Sequence, residues 1–267
     1  MELADKVIVV TGGGNGIGRQ VVLELIRRAA RVAAVDIREE SLAETAGLAD
    51  ARDRLATFAI DITDRAAVEA LPERVMGAHG AVDGLVNVAG IIQPFVKLND
   101  LEYDAIERVI NVNLYGTINM VKAFLPHLLQ RPIAHIANVS SMGGFLPVPG
   151  QTIYGASKAA VKLMTEGLYA ELIDTNVGVS VVFPGAVATE ITANSGVDIP
   201  SMGSVDRDSY RTTSPEEAAR IILDGIEGDD FQIFVGRDAR TMNLLNRAAP
   251  RRSTHLIYKQ MKDLLSG

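Results

Sequence analysis

The chain has 267 residues, of which 48% are hydrophobic and 22% charged, and a formal net charge of -7. That composition suits one large α/β core, argues against disorder, and lacks the basic face that nucleic-acid phosphates require. Cysteine is absent, which excludes disulfides, thiolate catalysis and cysteine-based zinc sites, and the four histidines (His79, His127, His135, His255) show no paired metal-ligand spacing.

Val7 to Val10 is a β-branched apolar run that reads as a buried parallel strand. A glycine cluster from Gly12 to Gly18 follows, then a helical pattern from Val21 to Ala29 and a second strand from Arg31 to Asp36. Strand, glycine turn, helix and strand form a unit of the size that binds dinucleotides. The alternation continues with a helix from Glu39 to Leu48 and a strand from Leu55 to Ile60. Thr63 is the expected cap of a helix from Asp64 to Met76, and Leu85 to Val88 is a strand ending in Ala89-Gly90. A long helical region begins near Asn99 or Asp100 and runs to Leu129, with Pro126 kinking or ending it.

Ile133 to Val139 is the next strand, and a loop rich in Gly and Pro runs from Met142 to Gly150. A helix carrying Tyr154 extends to about Asp174, followed by a strand from Val177 to Phe183 that Pro184-Gly185 stops. Residues from about 190 to 213 form a substrate loop. Ser214-Pro215-Glu216-Glu217 is a helix start, with Ser as cap and acids at the positive end of the dipole. Phe231 to Val235 is the last strand, and a helical extension from about 237 to 267 is broken at Pro250. Seven strands alternating with helices predict a Rossmann-type, doubly wound αβα sandwich spanning residues 1–267 as a single dinucleotide-binding domain. No apolar run reaches membrane-spanning length and no cleavage-site pattern follows the N-terminus, so a cytoplasmic protein is expected.

Gly12, Gly16 and Gly18, with Asn15 and Ile17 between them, sit where open α/β sheets bind ligands. Glycine permits close approach of backbone to pyrophosphate, and the following helix N-terminus favours the negative charge. Asp36 ends the second strand, 18 residues after Gly18, beside Ile37. A carboxylate there can accept both ribose hydroxyls and repels a 2′-phosphate, which favours NAD over NADP; the alternative is a strand-end surface aspartate. Arg38 is close enough to accommodate a phosphate if it swings over. Asp61, beside Ile62, either bonds an adenine amino group or caps the next helix.

Tyr154 and Lys158 are four residues apart and share a helix face. A cation beside a phenol lowers its pKa, and such a tyrosine exchanges protons with an alcohol or carbonyl. An exposed amphipathic pair is the alternative reading. To be phenolate at neutral pH, the phenol needs a pKa about three below its ordinary ~10, worth about 4 kcal/mol.

Thr11-Gly12-x-x-x-Gly16-x-Gly18, Asn87-x-Ala89-Gly90, Asn113, Ser141, Tyr154-x-x-x-Lys158 and Pro184-Gly185-x-Val187-x-Thr189 occur in order. In this the chain resembles the short-chain dehydrogenase/reductase family from residue 5 to about 190. The resemblance implies Tyr154 as general acid/base, with Lys158 lowering its pKa and bonding the nicotinamide ribose. Ser141 would hold the substrate oxygen, with Ser140 as competitor. Asn113 would hold a water in a proton relay, with Asn111 as competitor. Asn87, Ala89 and Gly90 would border the cofactor ribose. Pro184, Gly185, Val187 and Thr189 would hold the nicotinamide amide and pyrophosphate, although Val187 and Val139 also suit an ordinary core.

The implied activity is interconversion of a hydrophobic secondary alcohol and its ketone. Alternatives are an NADPH-dependent 3-ketoacyl reductase and, in a different class, a dinucleotide sensor without turnover. Met142 to Val148, Ile91 to Val96 and the loop from Ile191 to Tyr210 would wall the substrate pocket. The chain departs from the family in lacking a terminal Asp-Gly-Gly, which puts a tetramer through that end in doubt and leaves a homodimer through residues 100–129 and 152–174. The basic residues Arg247, Arg251, Arg252 and Lys259 of the extension read as a solvated helix face, or as a contact for a membrane surface or an acyl carrier's phosphate.

Overall fold

The computed structural model describes residues 1–51, 53–189, 191–197 and 212–261. Seven strands form one parallel sheet: β1 (Val7–Thr11), β2 (Arg31–Asp36), β3 (Leu55–Ala59), β4 (Gly84–Asn87), β5 (Ala134–Val139), β6 (Val177–Pro184) and β7 (Gln232–Val235). Their order is β3-β2-β1-β4-β5-β6-β7, so the chain reverses direction across the sheet between β1 and β4. Every residue of β1 is buried, with Val10 opposite Ala34 on one side and Val86 on the other. Such continuous apolar runs are what a strand covered on both faces requires.

One face is covered by α1 (Gly16–Arg27) and α9 (Pro215–Glu227), whose Val21, Val22, Leu25, Ala218, Ile222 and Ile226 pack on Ile8, Val10 and Val32. The other carries α3 (Arg65–Glu69), α4 (Leu71–His79), α6 (Thr117–Leu128) and α7 (Thr152–Leu172), whose Val68, Val75, Met120, Phe124 and Leu168 pack on Val7, Val9 and Ile136. The remaining helices are α2 (Glu39–Ala49), α5 (Tyr103–Ile110), α8 (Ile191–Ser195), α10 (Arg237–Ala248) and α11 (Pro250–Met261). Ser214 caps α9 as expected, its Oγ accepting from the Glu217 N–H at 3.2 Å. The extension breaks between α10 and α11 at Pro250.

Three local expectations change. The cap after β3 is Asp64, whose Oδ1 accepts from the Ala67 N–H (3.1 Å), while Thr63 turns back to Asp61. A carboxylate there suits the positive helix end. The long helical region is three pieces: a 3-10 turn at Leu98–Asp100, α5, and α6 joined to α5 by a π turn over Asn111–Gly116. Pro126 lies inside α6, which runs on to Leu128. Residues 190 and 198–211 of the expected substrate loop, Tyr210 among them, lie outside the described residues, as do 262–267.

At the N-terminal end of the sheet, His135 Nε2 lies 2.8 Å from Ser180 Oγ, and its Nδ1 lies 3.6 Å from Asp229 Oδ1. The set has the look of a nucleophile triad but not its chemistry. Ser180 gives its proton to the Asp230 carbonyl (2.6 Å), and neither Ser180 nor His135 is accessible. Burial, helped by the N-terminal ammonium, pushes the His135 pKa down to about 3. Asp229 is largely exposed, and water screens its opposing pull. Between an unfolded pKa of ~6.5 and about 3, the unfolded chain binds this proton and the folded one does not. Stability should therefore fall as pH falls through that window, by up to about 1.4 kcal/mol per pH unit from this group. Denaturant melts should show a steeper acid loss for the wild type than for His135→Gln; equal slopes would remove His135 as the cause.

Candidate active site

The glycine turn after β1 fits a cofactor because side chains do not fit there. Gly12 has φ +71°, and a Cβ on it would sit 3.0 Å from the Ala89 nitrogen. A Cβ on Gly18 would overlap the Gly12 carbonyl. Gly16, at φ +52°, faces Thr189. Asn15, the residue before α1, turns its amide to Ser41 Oγ (3.0 Å) instead of capping the helix. The first-turn amides are thereby left for an anion.

This turn opens on a cleft of about 600 Å³, a volume typical of cofactor sites. Gly12, Asn15, Gly16, Ile17, Gly18, Asp36, Ile37, Asp61, Ile62, Ala89, Gly90 and Thr189 line it. Arg108 and Asn111 also line it. The first was not anticipated; the second had been set aside in favour of Asn113. The π turn explains Asn111, because an added residue re-aims the side chains on that stretch.

Asp36 is both cleft wall and brace: its Oδ2 accepts from the Gly14 N–H (3.0 Å) and its Oδ1 from the Arg38 N–H (3.1 Å). A carboxylate has about four acceptor positions, so two backbone bonds leave capacity for hydroxyl groups. Arg38 reaches across the rim to Asn194 Oδ1 (2.9 Å). Asp61 Oδ1 accepts from both the N–H and the hydroxyl of Thr63, at 2.8 and 2.7 Å. Asn87 is buried and does not line the cleft; its Nδ2 donates to Asn138 Oδ1 (2.8 Å), which ties β4 to β5 below the cleft floor.

Tyr154 and Lys158 lie on α7, and Ser141 follows β5. Ser141 Oγ accepts from the Gly143 N–H (3.0 Å) and stands beside the Tyr154 ring: a Cβ on Gly143 would lie 3.4 Å from both Ser141 Oγ and Tyr154 Cε1. Ser140 donates to the Lys158 carbonyl (2.7 Å) from a buried position. Lys158 is buried, and its Nζ donates to the Val139 carbonyl (3.0 Å). Asn113 is buried in the π turn, where its Oδ1 accepts from the Ile91 N–H (2.8 Å) and its Nδ2 donates to the Ile91 carbonyl (2.9 Å) and to Ser157 Oγ (2.9 Å). Lys158 and Asn113 converge on Gly90: a Cβ there would lie 3.0 Å from Lys158 Nζ and 3.2 Å from Asn113 Oδ1. Gly90 also lines the cleft, so the two groups stand directly beside it.

The electrostatics differ from expectation. In the free protein burial raises the Tyr154 pKa, and the neighbouring Ser141 hydroxyl is the opposing influence. Burial also brings Lys158 down to about 8. Desolvation disfavours the charged form of each.

The stretch after β6 is held from behind. Val187 pairs with Thr213, and the Thr213 N–H donates to the Ala186 carbonyl (2.9 Å). Asp238, in the first turn of α10, accepts from the Ala186 N–H (2.9 Å) and fills the space beside Gly185. Val187 packs against the core and Pro184 ends β6, so of this motif it is Thr189 that reaches the cleft. Asn246 of α10 donates to the Phe145 carbonyl (2.8 Å), pinning the loop after Ser141. Two expected wall residues, Leu146 and Ile92, are buried in the interior, whereas Ile91 faces the cleft. Arg247, Arg251, Arg252 and Lys259 are exposed. Asp238 and Asn246 were missed because a lone polar residue on a terminal helix has no local signature of its distant partner.

Residues 6–199 match a family model described as short chain dehydrogenase, and the chain belongs to that family. It is 35% identical over 249 residues to a protein of Mycobacterium tuberculosis named as an oxidoreductase, SadH, covering 91% of this chain and 90% of the relative. It is also 35% identical over 229 residues to the 3-oxoacyl-[acyl-carrier-protein] reductase FabG of Thermotoga maritima, covering 84% and 91%. Among solved structures, a Burkholderia phymatum short chain dehydrogenase/reductase in complex with NAD superimposes with a TM-score of 0.85 at 27% identity, covering 94% and 96%. A Burkholderia cenocepacia short chain dehydrogenase in complex with NADP gives 0.81 at 27% identity, covering 96% and 99%. The protein is an NAD(P)-dependent oxidoreductase of the short chain dehydrogenase/reductase type, acting between a CH–OH group and the corresponding carbonyl.

Proposed function

We propose that this enzyme interconverts a hydrophobic secondary alcohol and its ketone, with Tyr154 as general acid/base and NAD as the preferred cofactor. The observation that carries the reading is a convergence behind the cleft wall: Lys158 and Asn113 meet at Gly90, which lines the cleft, and Ser141 and Tyr154 meet at Gly143. A bound nicotinamide supplies the hydride donor or acceptor. Ser141 orients the substrate oxygen toward the phenol. Tyr154 gives that oxygen a proton in reduction and removes one in oxidation. Lys158 holds the ribose hydroxyls and stabilises the phenolate once it forms. Asn113 fixes the backbone beside both, and its place next to Lys158 suits a water relay to solvent. Gly12 to Gly18 hold the pyrophosphate, Asp36 the adenosine ribose, and Asp61 the adenine. Thr189 shapes the nicotinamide end.

Asp36 supports NAD, since a 2′-phosphate would meet a carboxylate already held at the cleft wall. The half-buried Ile91, Met142 and Phe145 supply an apolar surround for the substrate. A 3-ketoacyl reductase is the second reading, favoured by the Thermotoga relative. We take residues 1–267 as one dinucleotide-binding domain. No helix among the described residues is long and apolar enough to cross a membrane. A homodimer through α5, α6 and α7 is supported by exposed Tyr103, Tyr115, Leu163 and Ile173 on that side. Sedimentation velocity should give a dimer that Leu163→Asp dissociates; a monomeric wild type would remove this part.

With cyclic, steroidal and 3-ketoacyl-thioester ketones as the panel, Tyr154→Phe should lose at least about a hundredfold in turnover while binding NAD nearly as before. Robust turnover in that variant would sink the assignment. Because burial keeps Tyr154 protonated at neutral pH, ketone reduction should hold below the raised phenol pKa and decline as pH rises through it, and alcohol oxidation should increase with pH. Titration with both cofactors decides the preference: NAD should bind at least about tenfold more tightly than NADP, the worth of about 1.4 kcal/mol. Equal or tighter NADP binding would overturn the argument from Asp36.

A further inference from the structure

Three consecutive residues after Gly90 tie the parts of the site together. Ile91 is bonded through both its N–H and its carbonyl to the Asn113 amide, at 2.8 and 2.9 Å. The Ile92 N–H donates to Ser195 Oγ (3.0 Å) in α8, and Ser195 donates in turn to the Ile191 carbonyl (2.6 Å). Gln93, fully buried, extends its side chain to the start of α7. There its Oε1 accepts from the N–H groups of Ile153 (2.8 Å) and Tyr154 (3.0 Å), and its Nε2 donates to the Gly150 carbonyl (2.9 Å). Gln151 answers from the other side, its Nε2 donating to the Gln93 carbonyl (2.8 Å).

We infer that Gln93 is the positioning residue for Tyr154, and that Ile91 to Gln93 is a strap fixing Tyr154, Asn113 and α8 relative to one another. Helix N-terminal amides need partners, and here two of them, one belonging to Tyr154 itself, are satisfied by one distant buried side chain. The N-cap position of α7 supplies no side-chain cap of its own, so the entry angle of the helix depends on Gln93. That angle sets where the phenol stands relative to Ser141, which is anchored on a different element, the end of β5. The inference rests on the reading of Tyr154 as acid/base.

The test compares Gln93→Met, which fills the space without hydrogen bonds, with Gln93→Glu, which keeps an acceptor for both N–H groups. Turnover is read with the ketone of the panel above that the wild type reduces fastest. In parallel, fluorine NMR of the fluorotyrosine-labelled free protein follows the Tyr154 resonance, assigned by its loss in Tyr154→Phe. Gln93→Met should lower kcat by about tenfold to a hundredfold, the scale of a displaced catalytic group. It should also shift the Tyr154 resonance and the pH profile of kcat, with NAD affinity unchanged within about twofold, and Gln93→Glu should recover most of the loss. A wild-type kcat and resonance in Gln93→Met overturns the inference, as does a kcat loss with an unmoved resonance and an equal loss of NAD affinity. If Gln93→Met does not fold, Gln151→Leu, which leaves the two Gln93 acceptor bonds in place, should show a smaller shift of the same sign; no shift there also overturns it. Failure of the acid/base reading would look different: Tyr154→Phe would stay active whatever Gln93 does.

Discussion

The amide of Asn113 is the fixed point of this active site. It is fully buried, and both of its polar atoms are committed: the oxygen to the Ile91 N–H, the nitrogen to the Ile91 carbonyl and Ser157 Oγ. A buried amide left unpaired costs about 1–3 kcal/mol per group, so none of these bonds is given up lightly. Through them the π turn, the segment after β4 and the catalytic helix are held in one arrangement. The cleft floor depends on it, because Gly90 has room for Lys158 Nζ and Asn113 Oδ1 only while these three elements keep their spacing. The π turn is the local means, since it interrupts the α-helical ladder between α5 and α6 where Asn113 must point inward.

Around that frame, two groups are poised by burial rather than by each other. Desolvation raises the Tyr154 phenol and brings the Lys158 ammonium down to about 8. Each is thereby moved toward its neutral form. A neutral phenol is a proton donor, which the proposed reduction of a carbonyl requires. Oxidation needs the phenolate, and the remaining charge stabilisation must come from what binds in the cleft. The Ser141 hydroxyl is the influence that opposes burial at Tyr154.

The sheet and its two helical layers were legible because periodicity and glycine placement are local properties. All seven strands fall within a residue or so of their expected bounds, and Ser214 caps α9 as its Ser-Pro-Glu-Glu pattern says. What the sequence did not show depends on contacts between distant residues. Gln93 looks like a polar interruption in an apolar wall, yet it reaches 61 residues along the chain to the Tyr154 N–H. Asp238 looks like an ordinary first-turn acid, yet it holds the Ala186 N–H. The raised Tyr154 pKa of the free protein is hidden for the same reason: spacing along a helix shows the lysine, whereas burial is a property of the whole fold.

The most direct test of this account is an ultraviolet difference titration of the Tyr154 phenol, with Tyr154→Phe as reference, in the free protein and with saturating NAD. The account predicts a pKa above the ordinary ~10 in the free protein and a lower one with NAD bound. A phenol that titrates at the same pH in both, or that is already ionised near neutrality without cofactor, would contradict it.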